Sequence, residues 1–225
     1  MLILFEDEHL VVCRKERGVL SQQDSKGGRN MIELIKQECK SNAYPVHRLD
    51  KDVGGVMVYA KTQKAAAELS KQVADRTFLK QYLAIIHSAP EEEKGTMEDL
   101  LFFDKSKNKS FVVKKERRGV KKALLEYECI EAAGEKTLVK VKLHTGRTHQ
   151  IRVQFASRKS PLYGDRRYGA RDEEKTIALW SCRLEFNHPV TSERMSFELL
   201  PDNDSAFIDF YKRKTESPCG TIGRE

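Results

Sequence analysis

Apolar positions recur along this chain with two periods, and the switches between them outline its elements. Residues 2–5 and 9–14 carry short apolar runs separated by the acidic turn Glu6-Asp7-Glu8 and read as a pair of strands. After a polar loop containing Gly27-Gly28, Met31, Ile32, Leu34, Ile35 and Cys39 fall on one face of a helix over 30–40. Val56 to Ala60 reads as a buried strand. Thr62 then suits the N-cap of a helix whose inner face carries Ala65, Ala66, Leu69, Val73 and Ala74. Phe78 to Ile86 predicts another strand, with Lys80, Tyr82, Ala84 and Ile86 on one side. Leu124 to Ala132 and Thr137 to His144 flank Gly134-Glu135-Lys136 as a hairpin. Thr148 is placed to cap a helix bearing Ile151 and Phe155. A Gly/Pro-rich loop from Ser160 to Ala170 leads to strands near 176–186 and 194–199. Asp204 caps a last amphipathic helix with Phe207, Ile208 and Tyr211, and residues from Thr215 onward read as a frayed tail.

Hairpins mixed with helical crossovers predict an α+β fold with a mixed, mostly antiparallel sheet. No internal repeat or linker interrupts the pattern, so one domain is expected over 1–214, with a flexible tail over 215–225. The 225 residues are 39% hydrophobic and 33% charged, and no apolar stretch approaches the roughly 18 residues of a membrane span. The first residues lack a basic flank and turn acidic early, unlike a signal peptide. A cytoplasmic protein is expected. Cys13, Cys39, Cys129, Cys182 and Cys219 are odd in number and never form C-x-x-C, which suits reduced thiols and gives no metal site.

The formal charge is +7, but it is unevenly spread. Residues 105–122 hold nine lysines and arginines, among them Lys114, Lys115, Arg117 and Arg118, against Glu116 alone. A strip of this kind attracts polyphosphate by counterion release. It equally suits a solvated hairpin kept soluble by lysine.

Two blocks are too polar for a core. His47-Arg48-Leu49-Asp50-Lys51-Asp52-Val53-Gly54-Gly55 puts a carboxylate in a loop at the entrance of a strand. Leu143-His144-Thr145-Gly146-Arg147-Thr148-His149-Gln150-Ile151-Arg152 follows the second hairpin strand. Taken singly, a loop aspartate caps a turn, an arginine makes a surface pair, and a strand tyrosine is core. His47, His144 and His149 lack metal-ligand spacing and read as hydrogen-bonded histidines.

Taken together, the blocks resemble the RluA-type pseudouridine synthases. The resemblance rests on His47-Arg48-Leu49-Asp50, on Lys80-Gln81-Tyr82-Leu83-Ala84, and on Gly146-Arg147-Thr148-His149-Gln150-Ile151-Arg152. It extends to Gly164-Asp165-Arg166-Arg167-Tyr168-Gly169, to Leu179-Trp180-Ser181, and to the His188-Pro189 turn. It implies a central sheet split by an active-site cleft with helices around it, and a cofactor-free isomerisation of uridine in ribosomal or transfer RNA. It also implies roles for single residues. Asp50 would be the catalytic carboxylate, as a nucleophile at ribose C1′ or as a base, and Tyr82 would stack on the base. Arg147 would steady Asp50, with Arg152 the second candidate or a phosphate clamp. Arg48 would fill the stack left by the extruded base, Leu179 would wall the base, and His149 would bind RNA without chemistry. The basic strip would supply further grip, because the chain opens directly on the catalytic segment with no S4-type domain ahead of it. RNA is the expected partner, with no metal, no membrane and a monomeric chain.

Departures from the family pattern are few. Val53-Gly54-Gly55 stands where Thr-Ser-Gly is usual, Lys15-Glu16 where Lys-Pro is, and Trp180 where histidine is commoner. Two other readings stay open: a non-catalytic RNA-binding or RNA-folding protein that keeps the fold, and a nucleoside hydrolase. Without a P-loop or G-x-G-x-x-G, triphosphate and dinucleotide chemistry have no support.

Overall fold

In the computed structural model, residues 1–24, 27–201, 204–208 and 210 are described. Tyr211, Cys219 and the tail expected from residue 215 lie outside them. The strands are β1 (Ile3–Glu6), β2 (Leu10–Lys15), β3 (Tyr44–Pro45), β4 (Gly54–Ala60), β5 (Leu79–His87) and β6 (Lys94–Asp104). They continue with β7 (Lys109–Val113), β8 (Val120–Ala133), β9 (Lys136–Leu143), β10 (Leu179–Asn187) and β11 (Arg194–Glu198). Among the described residues three α-helices accompany them, α1 (Met31–Cys39), α2 (Gln63–Ala74) and α3 (Gln150–Ser157).

All eleven strands join one mixed sheet in the order β1-β2-β4-β10-β5-β9-β8-β6-β7, with β3 added to β4 and β11 to β10. Period-two alternation sorts the strand residues between two faces, both buried. On one face Val11, Cys13, Met57, Tyr59, Tyr82, Ala84, Val139 and Val141 pack under Met31 and Ile35 of α1 and Ile151 and Phe155 of α3. On the other, Val12, Val56 and Val58 meet Ala65 and Leu69 of α2, and Leu83, Ile85 and Trp180 meet Phe207 and Phe210. Truncating a fully buried ring such as Phe155 would cost about 3–5 kcal/mol.

The helix starts follow local chemistry. Asn30 accepts from the Glu33 amide at 3.1 Å and Thr62 from the Ala65 amide at 3.1 Å, so each caps its helix. In α2 the buried polar residue is Gln72, whose amide pairs with both backbone groups of Asn187, whereas Ala74 is exposed. Thr148 does not cap α3. His149 occupies that position in the left-handed region, at φ 54°, without a capping side chain. The turn is instead braced by Gln150, whose Oε1 accepts from the Arg147 amide (3.0 Å) and the Thr145 hydroxyl (2.8 Å). Asp204 accepts from the Ala206 amide at 3.2 Å and opens a turn that buries Phe207.

Two features decide where a site can form. Between β4 and β10 lies the one parallel pairing of the described strands, through Trp180–Gly54 and Ser181–Gly55 alone. Because β5 occupies the other edge of β10, β4 and β11 share the near edge in succession, and the sheet forks there. A Cβ on Gly54 would clash with the Trp180 ring and one on Gly55 with the Ser181 carbonyl, and Gly55 also holds φ 123°. The departures at positions 54 and 180 are therefore one packing solution. The second feature is the β6–β7 hairpin, which periodicity did not reveal. It carries the basic strip on its turns and on the start of β8, with Lys114, Lys115, Arg117 and Arg118 all exposed. Lys109 in the outermost strand, with Lys107, Lys114 and Lys115 at its two ends, also discourages edge-to-edge pairing.

Candidate active site

Asp50 stands in the loop before β4, and that loop is held from behind by residues 15–21. The hydroxyl of Ser21 accepts from the Leu49 amide (3.0 Å) and donates to its carbonyl (2.8 Å). Arg17 donates to Asp52 O at 2.6 Å. The fully buried ammonium of Lys15 donates to the carbonyls of Glu16 (3.1 Å), Lys51 (3.0 Å) and Val53 (2.7 Å). Burial pulls the Lys15 amine down to about 8 despite the nearby charges of Asp50 and Asp52. None of these supports was anticipated, although a lysine closing an otherwise apolar strand is a visible signal.

From the front the carboxylate meets α3. Arg152 Nη1 donates to Asp50 Oδ2 at 2.8 Å, and the same guanidinium grips Asp165 through Nε (2.7 Å) and Nη2 (2.9 Å). Arg152 has 5% of its side chain exposed and Asp165 none, while Asp50 keeps 28%. Burial would lower the guanidinium, but hydrogen bonds and charge from Asp165 and then Asp50 push it up, so it stays cationic. The expected choice of Arg147 as the partner of Asp50 is thus corrected to the second candidate, Arg152, which is buried with each of its three nitrogens on a carboxylate. Arg147 lies exposed ahead of the left-handed residue His149, whereas Arg152 lies buried on α3 beyond it.

His149 also turns inward. Tyr168 accepts from the Ser110 amide at 2.8 Å and pairs with His149 Nδ1 at 3.0 Å, while His149 Nε2 lies 3.7 Å from Asp50 Oδ2. Burial holds this imidazole below its ordinary range, with Arg152 and Arg167 adding to it against the pull of Asp50. Its side chain is 8% exposed and faces the carboxylate inside the cleft. His47 accepts the Val58 amide at Nε2 (3.2 Å), and burial, then Lys80, lowers it to about 3. His144 pairs with Glu126 at 2.7 Å, and among the described residues no three metal-ligating side chains converge.

These groups open on a cleft of about 580 Å³ beside the β4–β10 junction. Asp50, Tyr82, Leu179, Arg48, Arg147, His149 and Arg152 all line it, together with Lys80 and Gly146. Tyr82 is 5% exposed, and burial, then the charge of Asp50, push its phenol well up, so the hydroxyl keeps its proton. Leu179 packs in the core behind the cleft, whereas Arg48 is exposed at its mouth. Arg147 is exposed too, with Nε donating to Lys122 O at 3.0 Å. Lys114, Lys115, Arg117 and Arg118 do not line the cleft. Their hairpin nonetheless abuts it, because Ser110 donates to Thr148 O at 2.6 Å and Phe103 packs edge-on to His149.

A carboxylate fixed by one guanidinium, under a protonated phenol and an aliphatic wall, can attack or deprotonate a sugar without a cofactor. No helix among the described residues is long and apolar enough to cross a membrane, and Cys13, Cys39, Cys129 and Cys182 are free thiols.

Comparison with known proteins bears on the same segments. An uncharacterized RNA pseudouridine synthase of Mycoplasma pneumoniae is 32% identical over 215 residues, covering 89% of this chain and 66% of its own. Ribosomal large subunit pseudouridine synthase D of Borreliella burgdorferi is 33% identical over 225 residues, 93% of this chain and 68% of its own. The chain thus spans about two thirds of the length of these relatives. In fold it is similar to human RNA Pseudouridylate Synthase Domain Containing 4, with a TM-score of 0.75 at 21% identity over 94% of this chain and 93% of that one. Residues 9–157, which run from β2 through α3 and include Asp50, Tyr82 and Arg152, match the family model described as RNA pseudouridylate synthase, and to that family this chain belongs.

Proposed function

We propose that this chain isomerises uridine to pseudouridine in structured ribosomal or transfer RNA, with Asp50 as the reacting carboxylate on a flipped-out nucleotide. The observation that carries the reading is the placement of Asp50, held by Arg152 at 2.8 Å, in one cleft with Tyr82 and Leu179. The reaction breaks ribose C1′–N1, turns the uracil in place, joins C1′ to C5, and returns the C5 proton to solvent while N1 gains one. It is redox-neutral and needs no group beyond side chains. Asp50 serves either by attacking C1′ or by taking a ribose proton, and the guanidinium fixes its direction in both cases.

A uridine in a stem must leave the stack before C1′ can be reached, at a cost of a few kcal/mol. Arg48, exposed at the mouth, suits the vacated space. Tyr82 offers a ring face to the base and a hydroxyl that retains its proton. The exposed lysines and arginines of 114–118 extend the positive field from the cleft along the RNA backbone. The name of the Borreliella relative makes large-subunit ribosomal RNA the first substrate to try. Free thiols suit the cytoplasmic setting where such RNA is found.

The test is release of tritium from C5 of uridine in RNA isolated from cells lacking the gene. Asp50→Asn should abolish release while leaving RNA binding within about threefold of wild type. Release that survives this substitution would remove Asp50 from the chemistry, and free uracil in place of pseudouridine would make the enzyme a hydrolase. Pseudouridine mapping with and without the gene then names the RNA and the position.

A further inference from the structure

Three cations are buried among the described residues, Lys15, Lys80 and Arg152. Two are compensated, Lys15 by three carbonyls and Arg152 by two carboxylates. Lys80 is 6% exposed, and no carboxylate or carbonyl of the described residues bonds its ammonium. Buried charges are ordinarily paired, because an unpaired one forfeits its hydration with nothing in return. The charge beside Lys80 has the same sign. Burial lowers its amine, and Arg147 lowers it further.

The two cations are built in. Lys80 comes from β5, and its Nζ lies against the backbone turn at Gly146, where an added methyl would stand 3.4 Å away. Arg147, the next residue, is fixed at both ends, its amide donating to Gln150 Oε1 (3.0 Å) and its Nε to Lys122 O (3.0 Å). Its two terminal nitrogens have no acceptor among the described residues. A rigid fork and a desolvated ammonium thus share the cleft with Asp50, and the protein supplies no anion between them.

We propose that Lys80 and Arg147 form a seat for one backbone phosphate next to the everted uridine. The seat rests on the reading of the cleft as an RNA site, and it gives Arg147 the task of holding the strand in place of holding Asp50. Uracil is neutral, so the anions that enter the cleft with a nucleotide are its flanking phosphodiesters. A fork and a point charge together match one such group better than either does alone.

The probe is a cytidine decamer with one central uridine, made with ordinary linkages or with a single uncharged methylphosphonate on the 5′ or the 3′ side of the uridine. Binding to the full chain is measured for wild type, Lys80→Met, Lys80→Arg and Arg147→Gln. Wild type should lose about tenfold in affinity at one of the two neutral linkages. Lys80→Met and Arg147→Gln should bind the charged decamer about tenfold more weakly, yet lose less than about threefold more at that linkage, and Lys80→Arg should behave as wild type. Each lost cation should also flatten the dependence of log affinity on log salt by about 0.7. A wild-type affinity indifferent to both neutral linkages overturns the seat, as does a loss that persists in full in the two variants. Arg147 is exposed, so Arg147→Gln decides the matter even where Lys80→Met fails to fold. Tritium release by a wild-type chain without this coupling would sink the seat and leave the proposed function standing. A chain with neither binding nor release would lose both.

Discussion

Arg152 serves two carboxylates of unequal burial, and replacing them one at a time should separate stability from chemistry. Asp165 is fully buried and takes two of the guanidinium's bonds, while Asp50 takes one and keeps 28% exposure. Breaking a buried ion pair from one side costs about 3–5 kcal/mol, because the remaining charge is left poorly compensated. Asp165→Asn keeps the shape and one acceptor, which places it near the lower bound, about 3 kcal/mol. For a chain of this size each kcal/mol moves the melting temperature by about 2–4 °C, so a fall of about 6–12 °C is expected. Asp50→Asn leaves the Arg152–Asp165 fork intact and touches a partly solvated pair, worth less than about 1 kcal/mol. Its melting temperature should drop by no more than about 4 °C. Circular-dichroism melts at pH 7, run beside tritium release on the same preparations, read both properties. The expected pattern is a fragile Asp165→Asn chain that retains some turnover below its melt and a sturdy Asp50→Asn chain with none. Equal destabilisation by the two changes, or an unaltered melt for Asp165→Asn, would refute the division of labour.

Acid should unfold the protein partly through His47. Its ring, held at about 3 in the fold against an ordinary 6.5, takes up a proton on unfolding. Stability from this residue is therefore complete above pH 6.5 and declines toward pH 3, by about 1.4 kcal/mol per unit. Denaturant titrations of His47→Gln, whose amide oxygen can take the Val58 N–H, should show a shallower decline from pH 6.5 to 4, and an unchanged slope would count against it. The contact between positions 54 and 180 should behave as a coupled pair. Gly54→Ser alone should cost about 1–3 kcal/mol through the clash with Trp180, and combining it with Trp180→His should cost at least about 1 kcal/mol less than the two single changes added. Strict additivity in chemical denaturation would show that the ring does not govern this position.

Much of this arrangement was legible in the residues. Strands β2, β4, β5 and β9 announced themselves because both sheet faces are buried, which leaves long apolar runs with only a few polar residues placed by function. The loop position of Asp50 and the delivery of Arg147 by the end of β9 followed from the same periodicity. The strands of the β6–β7 hairpin were not delimited, and a hairpin was weighed there only from charge, because the lysines mask the alternation of Leu101, Phe103 and Val112. The partner of Asp50 was misjudged for a conformational reason. A non-glycine residue in the left-handed region at His149 leaves no trace in composition, yet it stands between the exposed Arg147 and the buried Arg152. Lys15 went unnoticed as a support because it acts across the fold on a loop far away in sequence, and Asp165 because it reaches Asp50 only through Arg152.

The two flanks of the sheet meet through two rungs, where bare backbone at Gly54 and Gly55 faces an indole and a carbonyl on β10. A segment swap that brings a hydroxyl side chain to position 54 from a relative would force that seam apart unless the ring at 180 shrank in the same step. The loop that carries the carboxylate and the strand that carries Leu179 are thereby locked into joint descent, though they lie far apart along the chain.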